Sequence, residues 1–211
     1  MKTQNKVIGI ISYLPDDEEI RSHRKNKLLN LIFKCNYLFS LPIIIIAQNY
    51  KEDTVNFKNC TLYQYKDKLG IVGARKELRK IFLESNYDYL IMLDDDCELV
   101  GQSGERYLKQ IDNNPDCFIE FNKTLLKLFA ISRTLFSQVD YEDLNPEDGE
   151  GFEDRVFVNK LRKLFPDKQR VFTGTAIEQH SVSTADPYST WYKDQDIEEM
   201  LGNTLQKIKE L

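Results

Sequence analysis

Tyr89-Leu90-Ile91-Met92-Leu93-Asp94-Asp95-Asp96 is an apolar run that ends in three consecutive carboxylates. Large apolar residues ahead of a polar break predict a buried strand of a parallel sheet. Ligands of open α/β sheets lie beyond the carboxyl ends of the strands, which puts these acids where chemistry is usually done. Adjacent carboxylates repel one another unless something positive sits among them, and hard divalent cations take oxygen ligands of this kind. The expected occupant is a metal carrying a phosphate-bearing substrate. The bland alternative is a solvated strand-to-loop junction that happens to be acidic. In extended backbone Asp94 and Asp96 share one side, and Asp95 points away.

Outward from this strand, the chain alternates. Val7-Ile8-Gly9-Ile10-Ile11 predicts a first buried strand. The spacing of Leu28, Ile32 and Cys35, with Leu29 and Phe33 beside them, predicts a helix after it. Pro42 opens a second strand, Ile43 to Ala47, where a central strand tolerates proline. Thr61 to Tyr65 is a third, more polar strand. Gly70 and Gly73 bracket a turn into a helix whose face is Ala74, Leu78, Ile81 and Phe82. Alternation of this kind predicts a doubly wound, mostly parallel sheet with right-handed crossovers.

Beyond residue 100 the pattern changes. Cys117 to Phe121 and Leu125 to Ile131 are strand-like runs around a polar turn at Asn122-Lys123, which predicts an antiparallel hairpin. Asp140 to Glu153 is acidic, contains Pro146, Gly149 and Gly151, and reads as a surface loop. Phe157, Leu161 and Leu164 mark a further helix, and Val171-Phe172 a short strand. Ile197, Met200, Leu201, Leu205 and Ile208 form an amphipathic C-terminal helix. The expected organisation is one domain over 1–211, with one half to residue 100, a second half over 101–190 and the C-terminal helix over 191–211.

With 41% hydrophobic and 30% charged residues, the composition is that of a globular protein and not of a disordered or membrane-spanning one. A net charge of −5 argues against nonspecific nucleic-acid binding. The cluster Arg21, His23, Arg24, Lys25 and Lys27 reads first as the solvated face of a helix, and second as a phosphate or lipid site. Cys35, Cys60, Cys97 and Cys117 form no C-x-x-C pair, and the polar N-terminus shows no leader. The expectation is a cytoplasmic protein with reduced thiols and no structural zinc. Leu41 to Ala47 is too short to span a bilayer, so any membrane contact is expected to be peripheral.

Three other features carry potential chemistry. At Gly70-Ile71-Val72-Gly73-Ala74-Arg75-Lys76, glycine permits close backbone approach, a helix start offers free amides, and arginine matches phosphate. A capping turn with a surface arginine would look the same. Glu153-Asp154 opens a helix, as ordinary capping acids or as a general base near a hydroxyl. His180 is one of only two histidines, either structural or a metal ligand.

Together these residues resemble the GT-A class of nucleotide-sugar glycosyltransferases, in particular the small bacterial family 2-like enzymes. The resemblance lies in Gly70 with Ala74-Arg75, the Asp-x-Asp of Asp94 to Asp96, and Glu153-Asp154, in that order, and covers residues 5 to 185. It implies an α/β fold of GT-A type: a Rossmann-like, mostly parallel sheet flanked by helices, with a smaller antiparallel portion in the C-terminal half. It implies that Tyr13, Arg75, Asp94 and Asp95 serve the donor, Tyr13 at the nucleotide base and Asp94 at the ribose or sugar. By the same resemblance Asp96 and His180 hold Mn2+ or Mg2+, Asp154 is the base, and Glu153 contacts donor or acceptor sugar. The acceptor, a carbohydrate or glycoconjugate, is expected near Phe136 to Phe152. Two departures stand out. Ala47-Gln48-Asn49 replaces an acid after the second strand, and Lys76 replaces an asparagine.

The implied reaction is metal-dependent transfer of a sugar from a UDP-linked donor to a hydroxyl, with inversion, in polysaccharide or glycoconjugate synthesis. A nucleotidyltransferase is the alternative enzyme, although Ser12-Tyr13-Leu14-Pro15 replaces the glycine-rich loop expected after its first strand. An Asp-x-Asp phosphatase would carry its acids after the first strand. A noncatalytic nucleotide-sugar or partner-binding protein on the same fold is the third alternative.

Overall fold

β1 (Lys6–Tyr13) is buried along almost its whole length, because it lies between β2 (Ile43–Gln48) and β4 (Tyr89–Asp94) and is covered on both faces. The computed structural model describes residues 4–50, 59–95, 97, 99, 104–121, 128–141 and 153–172. The remaining elements are α1 (Glu18–Phe39), β3 (Cys60–Tyr65), α2 (Gly70–Glu84), α3 (Glu105–Asn113), β5 (Phe118–Glu120), β6 (Leu128–Ser132), α4 (Arg133–Gln138), α5 (Glu153–Leu164) and β7 (Gln169–Val171). They form a seven-stranded sheet of order β3-β2-β1-β4-β6-β5-β7. Among the described strands only β6 runs against its neighbours, pairing antiparallel with both β4 and β5. The mostly parallel, helix-flanked α/β fold expected from the sequence is therefore present.

Period-two alternation divides the core. Ile8, Ile10, Ile91 and Leu93 pack with Leu28, Ile32 and Cys35 of α1 and Tyr107 of α3. Val7, Ile11, Leu90 and Met92 pack on the other face with Leu78 and Phe82 of α2, Phe136 of α4 and Phe157 of α5. Gly9 lets α2 come this close, since a Cβ there would stand 2.7 Å from Leu78 Cδ2 and 2.8 Å from Leu90 Cδ1. At the start of α1 the Asp17 carboxylate accepts from the amides of Glu19 and Ile20, a cap that contributes about 1 kcal/mol.

Several expectations need correction. Phe33 is 69% exposed and Leu164 52%, so neither belongs to the buried face of its helix. Gly73 is not the far edge of a turn, because α2 already begins at Gly70, whose φ is 73°. Phe136 is fully buried in α4, which removes it from the expected acceptor loop. Helices α3 and α4 were not anticipated. The first buries only Tyr107 and Ile111, and the second follows β6 directly, with Ser132 Oγ accepting from the Leu135 amide. The hairpin is correct in its pairing, although residues 122–127 lie outside the described residues, as do most of the acidic segment and the expected C-terminal helix.

Candidate functional site

The strand order reverses at β1: β2 and β3 lie on one side of it and β4 on the other. Crevices at the carboxyl ends of strands beside such a switch point are where open α/β sheets bind ligands. The end of β1 brings Ser12 and Tyr13 there, and the end of β4 brings Asp94 and Asp95.

Alternation sends the two aspartates to opposite faces. Asp94 follows Leu90 and Met92 toward α2, where Arg75 Nη2 donates to Asp94 Oδ1 at 3.1 Å. The Arg75 side chain is 3% exposed and that of Asp94 26%, so the arginine is a buried support and not the surface residue of the capping alternative. Asp95 turns to the α1 face, where its Oδ2 accepts from Ser12 Oγ at 2.8 Å, and Ser12 Oγ also lies 3.1 Å from Tyr50 Oη. The Cys97 amide donates to the Asp94 carbonyl at 3.1 Å and closes the chain around the acids.

Tyr13 faces the start of α2, and Lys68 Nζ lies 5.4 Å from the centroid of its ring. Neither Gln48 nor Asn49 replaces the missing acid in kind. Gln48 Oε1 accepts from the Leu69 amide at 2.8 Å and holds the entry to α2, which lacks a side-chain cap of its own. Asn49, at φ 58°, donates to the Leu14 carbonyl at 2.8 Å. Arg21 departs from the solvated-face expectation, clamping the same loops through the carbonyls of Pro15 at 3.0 Å and Asn49 at 2.9 Å.

Glu153 and Asp154 stand in the first turn of α5, as expected. Asp96 and His180 lie outside the described residues. Among the described residues there is no cluster of three or more His, Cys, Asp or Glu side chains suited to a metal. The carboxylates of Asp94 and Asp95 are hard oxygen donors, but they face opposite sides of the sheet and do not by themselves make a metal site. No described helix is long and apolar enough to cross a membrane.

Sequence reasoning missed Tyr141 beside this site. Its ring lies under the Arg75 guanidinium, with 5.6 Å from Cζ to the centroid, and its surroundings in sequence gave no signal of burial.

No family model matches the sequence. No curated protein matches it either. Solved structures do match in fold. TarS of S. aureus superposes with a TM-score of 0.59 at 12% identity over 82% of this chain and 36% of that one. Its fragment 1-349 in complex with UDP-GlcNAc gives 0.58 at 11% identity, over 82% of this chain and 57% of that one. A protein from Desulfovibrio desulfuricans G20 designated a nucleotide-diphospho-sugar transferase gives 0.56 at 8% identity, over 97% of both chains. The chain thus spans about a third of the TarS chain, and it has the GT-A fold that its motifs led us to expect.

Proposed function

We propose that this chain is a glycosyltransferase that moves a sugar from a UDP-linked donor to an acceptor hydroxyl with inversion. The observation that carries the proposal is the Arg75–Asp94 pair at the β1/β4 switch point, on a fold shared with a protein crystallised with UDP-GlcNAc. Asp94 presents a carboxylate about a quarter exposed to the ribose or sugar hydroxyls, while the buried guanidinium fixes its orientation. Asp95, held by Ser12, shapes the other wall of the donor site, and the Tyr13 ring offers a face to the base. A divalent cation, Mn2+ or Mg2+, held by Asp96 and His180 would neutralise charge on the leaving diphosphate.

An acceptor hydroxyl is a poor nucleophile at neutral pH. The Asp154 carboxylate takes its proton while the hydroxyl oxygen forms a bond to the anomeric carbon. The bond from that carbon to the diphosphate oxygen breaks on the opposite face, its electron pair leaves with UDP, and the configuration inverts. Glu153 contacts the donor or acceptor sugar.

Calorimetric titration with UDP, with and without Mn2+, tests the reading. Metal-dependent binding that disappears in Asp96→Ala supports it. No UDP binding under either condition overturns it and favours another nucleotide or a noncatalytic role.

A further inference from the structure

Three motifs of the site are carried by three different elements: Arg75 by α2, Asp94 by β4, and Glu153-Asp154 by α5. A single ring packs against all three elements, though not against all three motifs. Tyr141, 2% exposed, stacks on Phe157 of α5 with centroids 4.3 Å apart and planes 13° from parallel. Arg75 Cζ lies 5.6 Å from the same ring centroid. The Tyr141 hydroxyl donates to Met92 Sδ at 3.5 Å, and Met92 is two residues before Asp94 on the same face of β4. Phe136 of α4 meets the ring edge-on at 6.2 Å and closes the packing.

The spacing along α5 gives these contacts their consequence. Phe157 comes four residues after Glu153 and three after Asp154, so one helical turn of about 5.4 Å separates the stacked ring from the acidic turn. A shift of Arg75 on nucleotide binding at Asp94 would press on Tyr141, whose ring centroid lies 5.6 Å from Cζ. A tightly packed aromatic stack passes such displacement on, because it has no void in which to absorb it.

We propose that Tyr141 is a positioning residue, which couples nucleotide occupancy at the Arg75–Asp94 pair to the first turn of α5. It rests on the reading above, in which donor site and α5 serve one reaction. Tyr141 touches no reacting atom in this role. It sets the distance between the donor support and the helix that brings the base, and it makes that distance respond to the nucleotide.

Hydrogen exchange of the full chain with UDP and Mn2+ as the probe tests this without knowledge of donor sugar or acceptor. In the unmodified protein, UDP should slow exchange at the amides of Phe157 and Val158 by about fivefold. Tyr141→Phe keeps the ring and should keep the effect. Tyr141→Leu stays apolar but loses the stack, and should reduce the effect to less than about twofold with UDP affinity held within about threefold. Phe157→Leu leaves Tyr141 on Arg75 and should behave as Tyr141→Leu does, which provides the test if the latter fails to fold. Unchanged protection in the leucine variants, or equal loss in Tyr141→Phe, overturns the coupling. Parallel loss of UDP affinity and protection overturns it in favour of a purely structural ring. UDP binding without protection of α5 in the unmodified protein sinks this inference alone, whereas absence of UDP binding sinks the nucleotide reading and the coupling with it.

Discussion

Arg75 and Asp94 form an unequal pair: the guanidinium that donates at 3.1 Å is almost wholly buried, while the carboxylate keeps a quarter of its surface in solvent. The two partners therefore depend on each other to different degrees. Removal of the carboxylate takes the 3.1 Å anionic partner from a buried positive charge, which costs about 3 kcal/mol in comparable cases. Removal of the arginine leaves a carboxylate that water can still reach. Asp94→Ala should thus destabilise the fold more than Arg75→Met in urea unfolding at neutral pH. Equal losses would mean that the arginine finds other partners when Asp94 is gone.

Glu120 and Arg162 show the reverse asymmetry. Glu120 is buried in β5 with 2% of its side chain exposed, whereas the Arg162 side chain is 45% exposed. Arg162 Nη2 donates to the two carboxylate oxygens at 3.0 and 3.2 Å, and Gln169 donates to Oε1 from β7. This carboxylate ties α5 and β7 to the sheet. Arg162→Ala, which leaves the buried acid with less compensation, should cost about 3 kcal/mol, and Glu120→Gln, which removes the charge, distinctly less. Denaturant midpoints of the two variants decide the order, and a milder effect of Arg162→Ala would refute the account.

The difference between these two pairs shows what the sequence could reveal. The direction of Asp94 and Asp95 is legible, because strand alternation alone sends neighbouring side chains to opposite faces. The support from Arg75 is legible only as a weak motif, since its burial depends on an acid 19 positions away. Glu120 passes unnoticed within an apolar run, because its partner Arg162 is 42 positions distant. Tyr141 is hidden for a further reason. Its neighbours are acidic and rich in turn formers, so local composition announces a surface loop, whereas distant partners, Phe157, Arg75 and Met92 among them, hold the ring in the core. Helix α4 escapes because no break separates it from the strand before it.

The cysteines carry a pH prediction. Burial pushes the Cys60 thiol up to about 11, and it pushes Cys35 up further still, with Cys60 adding to the effect. At pH 8 the thiolate fraction of Cys60 is then about a thousandth, so alkylation of the native protein should be slow at Cys60 and slower at Cys35. These thiols ionise at lower pH when the chain unfolds. Their contribution to stability is complete below the unfolded value of 9.0 and is lost as pH rises toward the folded value. Unfolding midpoints should fall between pH 9 and 11, and the fall should shrink in Cys60→Ala. Rapid labelling of Cys35 in native protein at pH 8 would contradict the argument.

Asp154 offers the sharpest separation of binding from chemistry, because it stands on α5 while the donor support stands on α2 and β4. If Asp154 is the base proposed above, Asp154→Asn keeps the shape of the side chain but removes the acceptor of the hydroxyl proton, and loss of a positioned base reduces turnover by about 10²- to 10⁴-fold. The proposed donor contacts do not include this carboxylate, so UDP affinity should remain within about threefold of that of the unmodified protein. Asp96→Ala should give the opposite result, with metal-dependent UDP binding lost first and turnover lost as a consequence. Paired calorimetry and turnover assays, with UDP-GlcNAc as the first donor offered, distinguish the two. Full turnover in Asp154→Asn would remove it as the base and direct the search to Glu153, one residue earlier in the same turn.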